Sequence, residues 1–141
     1  MPPARALSTV QLVNGSTGDP VLYLDYPGAG NALLFDGGDN APLTRDQLAD
    51  LEAVFVTHHH VDHFVGLDRI VRANLDADKT LHLFGPADTI RRVTDRVRSY
   101  EYPFFPFMKL AIEIHELVPG AIRTGTLACA KKFAPPEVSE R

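Results

Sequence analysis

Apolar and polar positions along this chain recur in a way that predicts a mixed α/β protein. Leu7 to Val13 and Val21 to Tyr26 read as strands, separated by the turn cluster Asn14-Gly15-Ser16-Thr17-Gly18-Asp19-Pro20. Pro27-Gly28-Ala29-Gly30-Asn31 makes a second turn and Ala32 to Phe35 a third strand, so the three form an antiparallel meander. Gly37 and Gly38 after Asp36 suit a tight loop. Thr44-Arg45-Asp46-Gln47 is a capping box that opens a short helix to about Asp50, with Leu48 and Leu51 on its buried side. Val54-Phe55-Val56 is too continuously apolar to be half exposed, and predicts a central strand covered on both faces.

From Phe64 to Leu75 the period changes: Leu67, Ile70, Val71 and Leu75 fall at helical spacing, with Asp68, Arg69 and Arg72 on a solvated side. After the polar turn Asp76-Ala77-Asp78-Lys79, Thr80 to Phe84 reads as a strand, and Gly85-Pro86 as the start of a helix with Pro at an early position. That helix has a narrow stripe of Ile90, Val93 and Val97. Arg91, Arg92, Arg96 and Arg98 make it the most basic stretch, with Asp88 and Asp95 interspersed. A plain exposed helix is the simpler expectation for it, a phosphate-tracking surface the alternative. Tyr100 to Met108 holds five aromatics and two prolines in nine residues, which excludes regular structure throughout. A hydrophobic plug over one end of the sheet is expected there; base stacking is the functional alternative. Lys109 to Leu117 alternates as a strand with Leu110, Ile112 and Ile114 on one face, Pro119-Gly120 turns the chain, and Ala121 to Ala130 offers one more strand. Lys131 to Arg141 reads as a disordered tail.

Composition narrows the classes. Hydrophobic and charged contents of 45% and 23% are those of an ordinary globular protein, and 141 residues fit one domain. A net charge of −4 supplies no global attraction for nucleic acid, so RNA binding would need a local basic patch. The single Cys129 excludes an internal disulfide and a cysteine-based zinc site. No run approaches the roughly 18 apolar residues of a membrane span. Met1 to Arg5 leads into no signal-like apolar region. A cytoplasmic protein with no membrane partner is the expectation.

Candidate chemistry concentrates between the Val54–Val56 strand and the helix that follows, in Thr57-His58-His59-His60-Val61-Asp62-His63. His58, His60, Asp62 and His63 place three imidazoles and a carboxylate within six residues, a clustering that calls for a cation. Neutral imidazole and carboxylate are preferred ligands of zinc and similar metals. On extended backbone His58 and His60 point to one side and His59 to the other. A turn after Val61 brings round Asp62 and His63 as a second pair. Each pair can hold one ion, and two-metal hydrolytic sites keep their ions about 3.5–4 Å apart. The bland alternative is a surface histidine run or tag remnant, but a tag lies at a terminus and lacks the Asp. The loop sits at the carboxyl end of a buried strand, where open α/β sheets place ligands. Chemistry alone reads as metal-assisted hydrolysis.

The same residues carry a family resemblance. Thr57-His58-x-His60-x-Asp62-His63, after a strand and before a helix, resembles the signature of the metallo-β-lactamase superfamily. Leu33-Leu34-Phe35-Asp36-Gly37-Gly38-Asp39 resembles its earlier strand ending in Asp and a Gly-rich turn. Phe64-Val65-Gly66-Leu67-Asp68 and Leu81-His82-Leu83-Phe84-Gly85-Pro86 resemble segments of the ribonuclease Z branch. The resemblance runs over about residues 10–118 and fades past Gly120. It implies an α/β fold, the N-terminal half of an αββα sandwich, in residues 1–120, with 121–141 a poorly matched strand and tail. It implies that His58 and His60 bind a first metal and Asp62 and His63 a second, with Asp62 also the catalytic proton-transfer group. Asp36 would support the metal loop from behind, or serve merely as a turn or cap residue. The implied cofactor is a pair of zinc ions, with manganese as an alternative. The implied activity is a ribonuclease Z-like phosphodiesterase acting on a tRNA precursor or another phosphodiester.

The family closes its site with a further His, a bridging Asp and a final His. After His63 only His82 and His115 remain here, each inside an expected strand rather than in a turn after one. The chain is therefore expected to be a truncated hydrolase or half of an assembly. Its rival is a non-catalytic remnant or association module that binds metal weakly. One half of such a sandwich leaves an apolar sheet face open, which favours self-association through that face.

Overall fold

The alternating segments become strands of one sheet and the helical segments a single layer upon it. The structure, a computed structural model, describes residues 9–26, 31–103 and 105–141. Leu7, the turn at 27–30 and Phe104, to which the sequence assigned a strand end, a turn and part of the plug, lie outside the described residues. The strands are β1 (Thr9–Leu12), β2 (Leu22–Asp25), β3 (Ala32–Phe35), β4 (Leu51–Phe55), β5 (Thr80–Pro86), β6 (Ala111–Val118), β7 (Ala121–Ala128) and β8 (Ser139–Glu140). They lie side by side in chain order. β1, β2 and β3 form the expected antiparallel meander. β3 to β6 run parallel, and β7 and β8 return antiparallel.

Parallel neighbours need crossovers, usually helical. α1 (Arg45–Ala49) joins β3 to β4, α2 (Val61–Phe64) and α3 (Leu67–Asn74) join β4 to β5, and α4 (Thr89–Arg98) joins β5 to β6. The capping box of α1 is formed on both sides: Thr44 Oγ1 accepts the Gln47 N–H and Gln47 Oε1 accepts the Thr44 N–H. The helices pack Leu48, Ile70, Val71, Val93 and Val97 onto Leu34, Val54, Leu81, Leu83, Ile112 and Ile114, making one core. No helix among the described residues is long and apolar enough to cross a membrane.

The opposite face carries the alternate residues of the same strands, and there Phe35, Phe55, Phe84 and His115 form a row across β3 to β6. Successive ring centroids are 4.7, 4.9 and 4.4 Å apart, with the rings stacked. Phe55 is thus only half-buried, and β4 is covered on one face rather than both.

Three further expectations are corrected. The helix expected over 64–75 is broken at Val65-Gly66, where the Gly66 N–H donates to Gly37 O at 2.7 Å instead of continuing the helical ladder. Gly85-Pro86 does not open a helix: both stay in β5, opposite Glu116 and Leu117, and α4 begins only after Asp88 takes a left-handed conformation, φ 79°. The tail is ordered. After the 3-10 turn Cys129–Lys131, Phe133 is fully buried with its ring 5.1 Å from Tyr102, and β8 pairs with β7. Burying the Phe side chain contributes about 1.5–3 kcal/mol, and the backbone bonds between Ile122 and Arg141 add to the hold on the segment. Tyr102 and Met108 of the aromatic segment pack against the core as a plug would, whereas Phe107 is 82% exposed.

Candidate metal centre

β3 and β4 end side by side, and one carboxylate ties their ends together. Asp36 follows β3 with φ 60° and is buried; its N–H donates to Phe55 O at 2.7 Å. Its Oδ1 accepts the Thr57 N–H at 2.8 Å, and the Thr57 hydroxyl lies 2.9 and 3.0 Å from its two oxygens. Its Oδ2 is 3.1 Å from His63 Nδ1. Asp36 therefore supports the loop from behind and is more than a turn residue.

A hydroxyl has one proton, and a buried carboxylate takes it; Thr57 Oγ1 is then an acceptor for the ring nitrogens around it. His58 Nδ1 lies 3.0 Å from that oxygen and His63 Nδ1 3.3 Å. With Nδ1–H donated to Thr57 and Asp36, the Nε2 edges of both rings carry the lone pairs. This is the tautomer that partners behind metal-binding imidazoles ordinarily fix. His58 and His60 have ring centroids 4.4 Å apart, and His58 and His63 3.9 Å. Asp62 Oδ2 lies 3.6 Å from His63 Nε2, and the Asp62 side chain is half exposed. The structure thus brings the four expected residues into neighbouring positions, with donor types that suit a divalent ion. Their ligand atoms do not converge on one point as three others among the described residues do.

His59 points elsewhere, as the alternation required. Its Nε2 lies 2.8 Å from Thr89 Oγ1 and its ring meets Phe64 edge-on at 5.4 Å. Burial first, and then the Arg92 charge, lower its pKa and favour the neutral ring.

Backbone contacts hold the second half of the loop. Gly37 N–H donates to His63 O at 2.8 Å, and Gly66 N–H to Gly37 O at 2.7 Å. A Cβ on Gly38 would collide with the Asp62 carbonyl oxygen, and one on Gly66 with the Gly38 carbonyl oxygen. The buried Asn40 donates to Gly66 O at 2.9 Å and receives Arg69 Nη1 at 3.0 Å, so Arg69, exposed as expected, also braces the loop.

The arginines of α4 are similarly engaged. Arg91 pairs with Asp88 and Asp95, Arg92 with Asp88, and Arg96 with Asp68 on α3. The most basic stretch of the sequence is largely neutralised by its own aspartates, which favours the plain helix over a phosphate track.

One grouping escaped the sequence. Strand pairing sets His82 opposite Glu113 and Phe84 opposite His115, which brings His82, Glu113 and His115 together on the open sheet face. The period-two patterns His82-x-Phe84 and Glu113-x-His115 show which residues share a face within each strand. The register between two strands about thirty residues apart is set only by packing.

The profile of the beta-lactamase superfamily domain matches residues 27–133. Among curated proteins, Ribonuclease Z of Deinococcus radiodurans is 32% identical over 97 residues, 65% of this chain and 29% of its own length. Ribonuclease Z of Thermococcus onnurineus is 30% identical over 110 residues, 74% of this chain and 33% of its own. The chain thus spans about a third of the length of these relatives. Among solved structures, human tRNase Z, short form, is similar over 82% of this chain and 54% of its own, with 17% identity and a TM-score of 0.47.

Proposed function

This chain belongs to the beta-lactamase superfamily, and on that premise we propose that it carries one flank of a metal-dependent hydrolase centre of the ribonuclease Z type. His58 and His60 hold one divalent ion and Asp62 and His63 a second, with zinc the preferred metal and manganese the alternative. The observation that carries this reading is the clamp of Asp36 and Thr57, which ties back Nδ1 of His58 and His63 and turns their Nε2 edges away from it, that of His63 toward Asp62. Such ions, when bound, act as Lewis acids on a phosphoryl oxygen and bring the pKa of water to about 7. The chain's own part is to orient the imidazoles, and to present the Asp62 carboxylate where it can accept a proton and return it to the leaving oxygen. A tRNA precursor, or another phosphodiester, is the substrate class, after the name of the relatives.

Two protein ligands per ion fall short of the three plus water of a catalytic zinc site. The 141 residues alone are therefore expected to bind zinc at this loop weakly and to show no significant hydrolysis of bis-p-nitrophenyl phosphate or a 3′-extended tRNA. Zinc retained by the chain should fall in His60→Ala and in Asp62→Ala. Unchanged retention in both would overturn the assignment of the loop, and turnover that vanishes in both would show that the chain is self-sufficient.

A second reading, as an association module, is favoured by the stacked row Phe35, Phe55 and Phe84 on the uncovered sheet face. A second copy of this chain is the proposed occupant. Light scattering behind size exclusion should give a dimer or larger species that dissociates in Phe55→Ser; a monomer at every concentration would remove this reading.

A further inference from the structure

We propose that His82, Glu113 and His115 form a second divalent-metal site, on the open sheet face and separate from the Thr57–His63 loop. His82 Nδ1 lies 3.3 Å from His115 Nε2, His115 Nε2 3.1 Å from Glu113 Oε1, and His82 Nδ1 3.5 Å from the same oxygen. Zinc bonds to nitrogen and carboxylate oxygen are about 2.0–2.2 Å, so the ligand atoms of a tetrahedral site stand about 3.3–3.6 Å apart. Octahedral ligands at the same bond lengths stand only about 2.8–3.1 Å apart. The three separations average nearer the tetrahedral edge. The triangle has the dimensions of one face of a zinc tetrahedron. The His82 and His115 rings, nearly parallel with centroids 5.6 Å apart, aim their nitrogens at each other and must turn for both lone pairs to meet on an ion.

The scaffold favours this reading. All three side chains stand on paired parallel strands, β5 and β6, so the backbone fixes their spacing. Thr124 Oγ1, from β7, sits 3.4 Å from His115 Nδ1, on the far side of the ring from Glu113. Where that hydroxyl accepts the Nδ1–H, Nε2 is left with its lone pair on the side of the site. Two neutral imidazoles and one carboxylate form the His2Glu set of hydrolytic zinc centres, which leave a fourth position open. The side chains are 37%, 33% and 18% exposed for His82, Glu113 and His115, so an ion can reach them while losing part of its water. Beside them lies a hollow of about 570 Å³ whose walls include Tyr26, Leu33 and Phe84. The fourth position faces that side of the sheet, where a water or an oxygen ligand can complete the site.

The ordinary alternative is a pair of histidines hydrogen-bonded to a glutamate, with no ion. Cobalt(II) separates the two, because tetrahedral nitrogen–oxygen coordination gives strong visible bands and hydrated cobalt only weak ones. The 141-residue chain carrying His58→Ala, His60→Ala and His63→Ala, which removes the loop's imidazoles, is titrated with cobalt chloride. One equivalent should bind with strong bands. Adding His115→Ala should abolish the bands. The isosteric Glu113→Gln, whose fold is checked by circular dichroism, should weaken binding at least about tenfold, the lower end of what lost supporting contacts alone produce at metal sites. No strong bands in the triple variant would overturn the site, as would bands that survive both His115→Ala and Glu113→Gln. Because the loop's imidazoles are absent throughout, failure here leaves the loop's own metal untouched.

Discussion

Asp36 Oδ2 lies 3.1 Å from His63 Nδ1, while Asp36 Oδ1 receives the Thr57 N–H at 2.8 Å. A single buried carboxylate thereby spans the loop from its first residue to its last. Replacing it by Asn keeps the shape but substitutes an amide donor for one acceptor and removes the charge that steadies the imidazole. Asp36→Asn should weaken zinc binding at the loop by about 10–100-fold, read by competition with a chromophoric chelator. Affinity equal to the wild type would show that the clamp is structural only.

Gly38 packs against the backbone beneath Asp62, with no room for a Cβ. Gly38→Ala must push the Asp62 carbonyl away, at a cost of about 1–3 kcal/mol for overpacking. A lower melting temperature and lost zinc retention should appear together. A variant that melts lower yet retains zinc fully would mean that the Asp62 position does not depend on this contact.

The triple histidine divides by direction. His58→Ala should remove most loop-bound zinc. His59→Ala should leave it nearly intact and instead lower stability by about 1 kcal/mol, through loss of the Thr89 hydrogen bond. Zinc titration and urea unfolding of the two variants, side by side, check both halves. Equal zinc losses would contradict the opposite orientations of the rings.

The closeness of the four loop residues and the order of the elements were legible because they depend on local rules. The turn residues on either side gave β3 its observed bounds, and the capping box placed α1. What was not legible depends on contacts far along the chain. The break in the helix over 64–75 answers to Gly37, and the folded tail to the packing of Phe133 against Tyr102. The pairing of Arg96 required Asp68 to arrive from α3. His82 and His115 looked isolated within their strands until the β5–β6 register placed Glu113 between them.

Arg96 clamps Asp68 with two bonds of 2.9 and 2.8 Å, and Tyr100 adds a third at 2.7 Å. The Arg96 hydrogen bond foremost, with help from Tyr100 and against the burial effect, holds the Asp68 carboxyl below its ordinary pKa. A carboxyl depressed in the folded state binds protons more readily when unfolded. Its stabilisation is therefore full above the unfolded value of about 3.9 and is lost as pH falls through the folded one. Asp68→Asn should cost on the order of 1 kcal/mol at pH 7, given the solvent screening of a partly exposed pair. The gap to the wild type should narrow in urea melts below about pH 4; a gap independent of pH would show that packing, not charge, is responsible.

Every strand lies beside the one made just before it, from β1 to β8. No strand has to be threaded between neighbours that have already paired, and each new one meets a ready edge. At the roughly 5–20 residues per second of synthesis, the sheet can lengthen in step with the ribosome.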